Sequence, residues 1–348
     1  MTPNEMIKEY LDINLRRAAN ATGKRLMSNF LDYYRVRISL ARLAIALSAL
    51  LLACLFVPPF ASAEVSATQQ VFPSPGAAAS ALVAAGKADD VNTLSSILGP
   101  EADQVLSSGD PVADDNARKD FVRRYQEMHR LAYDEEGRVI LYVGAANWPV
   151  PIPLVKKNGG WVFDTAAGKE ELLYRRVGRN ELFTINVLED LADAQAEYAS
   201  EAHDGESTGQ FAQKILSDTG KRNGLYWETA EGQPESPIGP LVASATAEGY
   251  KKDSGGNPIP FHGYYYKVLT RQGKNAPGGA KNYLVNAKMS NGFAFLAYPA
   301  EYRASGMMTF MINQDGVIVQ KDLGSDTAKL ASEIEEFNPD KTWQEVDE

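Results

Sequence analysis

The sequence predicts an α+β protein in which helices and a β-hairpin lead into one long helix packed on a C-terminal antiparallel sheet. Three observations predict it. The segment TAAGKEELLYRRVGRNELFTINVLEDLADAQAEYAS, residues 165–200, carries Leu173, Val177, Thr184, Leu188, Leu191, Gln195 and Tyr198 at three- and four-residue steps, the period of a helix with one buried side. Directly before it, IPLVKKNGGWVFD reads as strand, Lys-Asn-Gly-Gly turn and strand. After residue 259, the runs YYYKVLT, KNYLVNA, FAFLAYP, MMTFMIN and GVIVQKD are separated by Gly, Pro and Asn turns, as in a sheet of about five strands. A chain of 348 residues, 44% of them hydrophobic, can bury a substantial core.

Taken in order, residues 1–63 belong to processing. Arg35, Arg37 and Arg42 precede the apolar run LARLAIALSALLLACLFV, Pro58-Pro59 break it, and Ala61-Ser62-Ala63 offers a small-residue cleavage site before Glu64. The apolar stretch over residues 43–57 is short of the roughly 20 needed to span a bilayer, so no stable transmembrane span is expected after signal removal. A start at Met27 would give this signal an ordinary length. Leu51-Leu52-Ala53-Cys54 resembles a lipoprotein processing box, which makes a lipid anchor through Cys54 the alternative to a free periplasmic or secreted chain.

Cys54 is the sole cysteine, so a chain beginning at Glu64 excludes cysteine nucleophiles, thiolate zinc sites and iron–sulfur clusters. Residues 1–63 hold eight of the 35 Lys and Arg and four of the 45 Asp and Glu, leaving about −14 on the exported part. That balance disfavours nucleic acid and anionic lipid as partners.

Residues 64–200 are expected to form a helical plus β-hairpin domain. Two short helices carry Ala78, Leu82 and Val83, then Val91, Leu94 and Leu98, with Gly86 and Gly99 at their stops. Asp114 or Asp115 would cap a third helix, NARKDFVRRYQEMHRLAY, buried through Phe121, Tyr125, Met128 and Leu131 or Ala132, with His129 among arginines as a surface or satisfied-core residue. RVILYVG reads as a strand, and Asp164 or Thr165 as the cap of the long helix. On that helix Glu171, Arg175 and Arg179 form an i, i+4 row. It serves either as a salt-bridge network against a neighbouring element or as an arginine clamp for a carboxylate, phosphate or sugar acid.

Residues 201–258 read as an irregular linker with one short helix early on, and 259–348 as a sheet domain with an acidic tail. The loop HDGESTG lacks the alternating ligands of a calcium loop, so no metal is expected and His203 reads as a solvated residue. Leu225, Tyr226 and Trp227 are anchors for irregular backbone or the wall of a carbohydrate or peptide groove. Phe261, His262, Gly263, Tyr264, Tyr265 and Tyr266 form the densest aromatic patch, where a tyrosine-flanked histidine could meet a ring-shaped ligand. Glycine-rich phosphate loops and His-Glu-x-x-His are absent from the sequence, Gly205-Glu206-Ser207-Thr208-Gly209 falls in the loop after the long helix and is not the strand-to-helix Gly-x-Ser-x-Gly elbow of a hydrolase, and no catalytic residue or cofactor is assigned.

The blocks NWPVPIPLVKKNGGWVFDTAAGKEELLYRRVGRNEL, LYWETAEGQPESPIGPLV, FHGYYYKVLTRQGKNAPGG and MMTFMINQDGVIVQKDLG resemble the DUF2950 family of exported bacterial proteins of unknown function. The resemblance runs from Phe72 to Trp343 and implies an envelope location without implying an activity. The leading expectation is a non-catalytic envelope protein that binds or scaffolds a protein or cell-wall partner. Arg175, Arg179, Trp227, His262, Tyr264 and Tyr266 are its candidate contacts. The alternative is a periplasmic small-ligand binder or hydrolase with a pocket near His262, and whether the chain is an enzyme stays open.

Overall fold

A computed structural model describes residues 69–346 except 231 and 252–258, so the expected signal segment, the expected cleavage site at Ala63 and Glu64, and Cys54 lie outside the described residues. Four helices come first: α1 (Pro75–Lys87), α2 (Val91–Leu98), α3 (Ala102–Leu106) and α4 (Pro111–Glu127). Their starts follow local chemistry. Ser74 accepts from the Ala77 amide with Pro75 at the first helical position, and Asp90 accepts from the Thr93 amide at 3.0 Å. Gly99, at φ 86°, ends α2, whereas Gly86 lies inside the last turn of α1 and Asp89, at φ 53°, takes the left-handed position beyond it.

The first sheet runs β1 (His129–Tyr133), β2 (Val139–Val143), β4 (Leu154–Lys157) and β5 (Gly160–Phe163), with the short β3 (Trp148–Pro149) also on β2. The hairpin is where the sequence puts it, turned by Asn158 and Gly159 at φ 54° and 79°. Helix α4 corrects the expectation twice. Asp110, not Asp114 or Asp115, caps it, and it stops at Glu127 because residues 129–133 pair in full register with 139–143. Leu131, read as part of a buried helical stripe, is thereby an exposed strand residue, and Met128 is exposed too. Phe72, Leu82, Ile97, Leu154 and Phe163 close the core between these helices and this sheet.

Helix α5 (Thr165–Ser200) follows, capped by Asp164, whose Oδ1 accepts from the Ala167 amide at 3.3 Å. Val177, Thr184, Leu188, Leu191, Gln195 and Tyr198 are buried along it, and Leu173 is half-buried. Gly168 is required near its start, because a Cβ there would sit 2.3 Å from Pro151 O. Farther along, the buried Gln195 amide exchanges two 2.8 Å hydrogen bonds with the backbone of Ala212. That exchange satisfies both groups away from water and pins the following loop to the helix.

The second sheet is antiparallel in the order β14 (Gln344–Glu345), β13 (Val319–Asp322), β12 (Met308–Asn313), β11 (Ala294–Pro299), β6 (Tyr264–Leu269). Its buried face, including Phe295, Phe310 and Ile312, packs on the second half of α5. The Asn313–Gly316 turn forms as expected, with Gly316 at φ 77° donating to Asn313 O. The run KNYLVNA does not join this sheet. It splits into β8 (Lys281–Asn282), paired with β7 (Arg271–Gln272), and β9 (Leu284–Val285), paired with β10 (Lys288–Met289). Tyr283 between them is fully buried and donates to Gln272, which turns the run inward, and β14 supplies the fifth strand. Residues 211–216 form no helix, being bridged at Phe211 to Met289 and at Leu216 to Tyr226 with bends between, and the helix of this region is α6 (Gly239–Ala247), followed after the sheet strands by α7 (Thr327–Glu333).

Candidate functional site

A cavity of about 1050 Å³ lies between α5, α6, the start of β6 and the loop of residues 215–228. Its size matches the upper end of small-molecule sites. Val187 and Leu191 of α5, Leu241, Val242 and Ala245 of α6, and Phe261 form its apolar wall. Helix α6 buries none of its residues fully; Leu241 and Val242 pack partly on the core and line the cavity as well. Tyr266 reaches the cavity with its hydroxyl 3.3 Å from Thr184 Oγ1, and burial pushes that phenol well above its ordinary range.

One end of the cavity is held by a polar cluster. Residues 261–264 make a tight turn with His262 and Gly263 at φ 48° and 81°, a conformation costly for a histidine. Three contacts secure it. The Gly263 amide donates to Asp110 Oδ2 at 2.8 Å, the His262 amide donates to the Tyr250 hydroxyl at 3.1 Å, and that hydroxyl donates to Asp110 Oδ2 at 2.9 Å. The His262 ring lies 3.8 Å from that of Phe183, centroid to centroid. Its Nε2 is 2.8 Å from Glu248 Oε2, an ion-pair distance off hydrogen-bond alignment. Burial, then the nearby Asp110 carboxylate, pushes the Tyr250 phenol far up, so it stays a donor.

The polar face is built on Tyr198 and Trp227. The Tyr198 hydroxyl donates to Arg222 O at 2.6 Å, and the Arg222 amide donates to Asp204 Oδ2 at 2.7 Å. Burial, then the Asp204 and Glu206 carboxylates, push the Tyr198 phenol up to about 12. The Arg222 guanidinium sits over the Trp227 ring at 5.4 Å. His203 is buried, contrary to its reading as a solvated loop residue. It stacks on Tyr198 at 4.0 Å, and its Nε2 meets Tyr198 O at 2.9 Å, which makes Nε2 the protonated nitrogen.

The sequence candidates therefore divide. Trp227 and Tyr266 line the cavity, and His262 stands behind its end through Phe261 and Tyr250. Tyr264 lies deeper, its hydroxyl donating to Met308 O at 3.0 Å. Arg175 is elsewhere, bonded to Glu171 at 2.6 Å and stacked on Trp148 at 5.0 Å, while Arg176 reaches the carbonyls of Val105 and Ser107. Arg179 faces Asp120 and Arg124 of α4, eight residues or about 12 Å along α5 from Val187. Burial, outweighing Asp120, lowers its guanidinium from the ordinary value. His129 sits in β1 stacked on Tyr125, not on a helix. Asp110, Glu248 and Arg222 escaped the sequence reading; only Asp110 left a local signal, an Asp before a Pro at a helix start.

Among the described residues no hydroxyl bonds to a histidine ring, no group of three or more His, Cys, Asp or Glu could hold a metal ion, and no helix is long and apolar enough to cross a membrane. A family model described as "Protein of unknown function (DUF2950)" matches residues 69–346. No curated protein and no solved structure matches the chain.

Proposed function

Since the chain belongs to the DUF2950 family, whose description assigns no activity, we propose its function from the cavity: an exported envelope protein that binds a small, largely apolar ligand without transforming it. The observation that carries this is the cavity of about 1050 Å³ with an apolar wall shared by α5, α6 and Phe261. The His262 ring has no hydroxyl bonded to it among the described residues, and the one hydroxyl on its Glu248 partner, that of Ser244 at 3.4 Å, meets the carboxylate rather than the imidazole, which favours binding over hydrolysis. Export by cleavage between Ala63 and Glu64 into the periplasm or medium, or anchoring through Cys54, is part of the same proposal. So is the division into residues 64–200, 201–258 and 259–348.

The test is titration of the exported chain with a neutral apolar dye such as N-phenyl-1-naphthylamine, beside an Ala245→Trp variant that fills the cavity. Saturable one-to-one enhancement lost in the variant at unchanged melting temperature supports the reading. Enhancement indifferent to Ala245→Trp sinks it.

A second reading, docking of an envelope protein or cell-wall polymer, is favoured by a different face. Tyr174 is 73% exposed and Trp148 44% exposed, with Arg175 stacked on the latter. Crosslinking in the host envelope with mass spectrometry of the captured species tests it, and the same spectra read the mature N-terminus.

A further inference from the structure

We infer that the ligand of this cavity is an anionic amphiphile, its apolar body against α5 and α6 and its carboxylate or phosphate head at Arg222 and Lys221. This rests on the reading of the cavity as a ligand site and adds the chemistry of the head group. Lys221, Arg222 and Lys251 line the cavity opposite Asp204, Asp218 and Glu228, an even count. Asp218 is already bonded by Lys214 at 2.6 Å and by the Asn223 amide at 2.9 Å, and Asp204 accepts from Arg222's own backbone amide. No described carboxylate lies within ion-pair distance of Lys221, Arg222 or Lys251. Lys214 offsets Asp218, so three cations face two carboxylates without a described cation partner, Asp204 and Glu228, in a chain whose net charge is −10.

Arg222 is also the best held of the three. Tyr198 and Asp204 fix its carbonyl and amide, and Trp227 supports one face of the guanidinium by cation–π contact. Its planar fork keeps its donors free for an oxyanion, and a guanidinium fixed in advance loses little freedom on binding. The apolar wall begins on the adjoining elements, at Ile215 and Leu241, so head and body are met side by side.

Calorimetry of the exported chain with decanoate, decyl phosphate, decanol and decyltrimethylammonium, each below its micelle concentration, tests this. Decanoate or decyl phosphate should bind at least about tenfold tighter than decanol, the scale of a charge-assisted hydrogen bond. Decyltrimethylammonium should bind no tighter than decanol. A preference between the two anions then distinguishes a carboxylate source from a phosphate head. Arg222→Gln and Lys221→Gln should each lower the ratio of anion to decanol affinity, and an unchanged ratio in both overturns the head-group inference. Equal binding of all four, or tightest binding of the cation, overturns the head-group inference and leaves the cavity reading standing. Binding of none overturns both.

Discussion

Removing the Asp110 carboxylate tests the junction that fixes one end of the cavity. Its Oδ1 accepts from the amides of Val112 and Ala113 at 3.1 and 3.0 Å, and its Oδ2 from the Gly263 amide and the Tyr250 hydroxyl at 2.8 and 2.9 Å. Asp110 is 1% exposed and Tyr250 6% exposed, so water cannot replace what is lost. An ordinary N-cap deletion costs about 1 kcal/mol. Two stranded buried donors add roughly 1 to 3 kcal/mol each. Asp110→Ala should therefore cost about 3 to 7 kcal/mol in urea unfolding at neutral pH, a large share of the ~5–15 kcal/mol that holds a domain. Tyr250→Phe alone should cost about 1 to 2 kcal/mol, since it strands the His262 amide as well. In the Asp110→Ala background it should cost less, a coupling of about 1 kcal/mol. An Asp110→Ala cost near 1 kcal/mol with additive double variants would refute the reasoning and reduce Asp110 to a plain helix cap.

Gly168→Ala sets helix propensity against space. Propensity favours alanine by about 1 kcal/mol, but the new Cβ would lie 2.3 Å from Pro151 O and 2.6 Å from Ile152 Cα, which are backbone and cannot swing aside. Net destabilisation of about 1 to 3 kcal/mol is expected, and a raised melting temperature contradicts it. Glu181 accepts from the Met307 and Met308 amides through Oε1, yet burial outweighs them and raises its carboxyl above the ordinary value. A raised folded-state value means that its contribution to stability is present below the unfolded value and lost as pH rises through the folded one. Glu181→Gln keeps the acceptor without the charge, so it should raise the melting temperature at pH 7 relative to wild type, and the difference should vanish toward pH 4. A uniform drop at both pH values counts against this account.

Helix α5 was legible to the residue, because its buried positions repeat with the helical period and Asp164 stands where a cap belongs. The hairpin before it was equally plain from Asn158-Gly159. Strand β1 was not, because Leu131 extends the helical spacing of Phe121, Tyr125 and Met128, and only pairing with β2 converts those residues to strand. The run of residues 281–287 has the composition of one strand, and only the burial of Tyr283 on Gln272 breaks it in two. In the site, aromatic residues such as Trp227 and Tyr266 could be picked out by type alone. Asp110 and Tyr250 stand 140 residues apart, and Arg222 owes its placement to Tyr198 and Asp204, 24 and 18 residues away. Such contacts leave no periodic trace in a sequence.

The measurement that bears most directly on the ligand-site account is native mass spectrometry of the protein isolated from its own host, wild type beside Ala245→Trp. The account predicts a one-to-one small-molecule adduct on the wild type that is missing from the folded variant. An adduct-free wild type, or an adduct that persists when Ala245 is replaced by tryptophan, would contradict it.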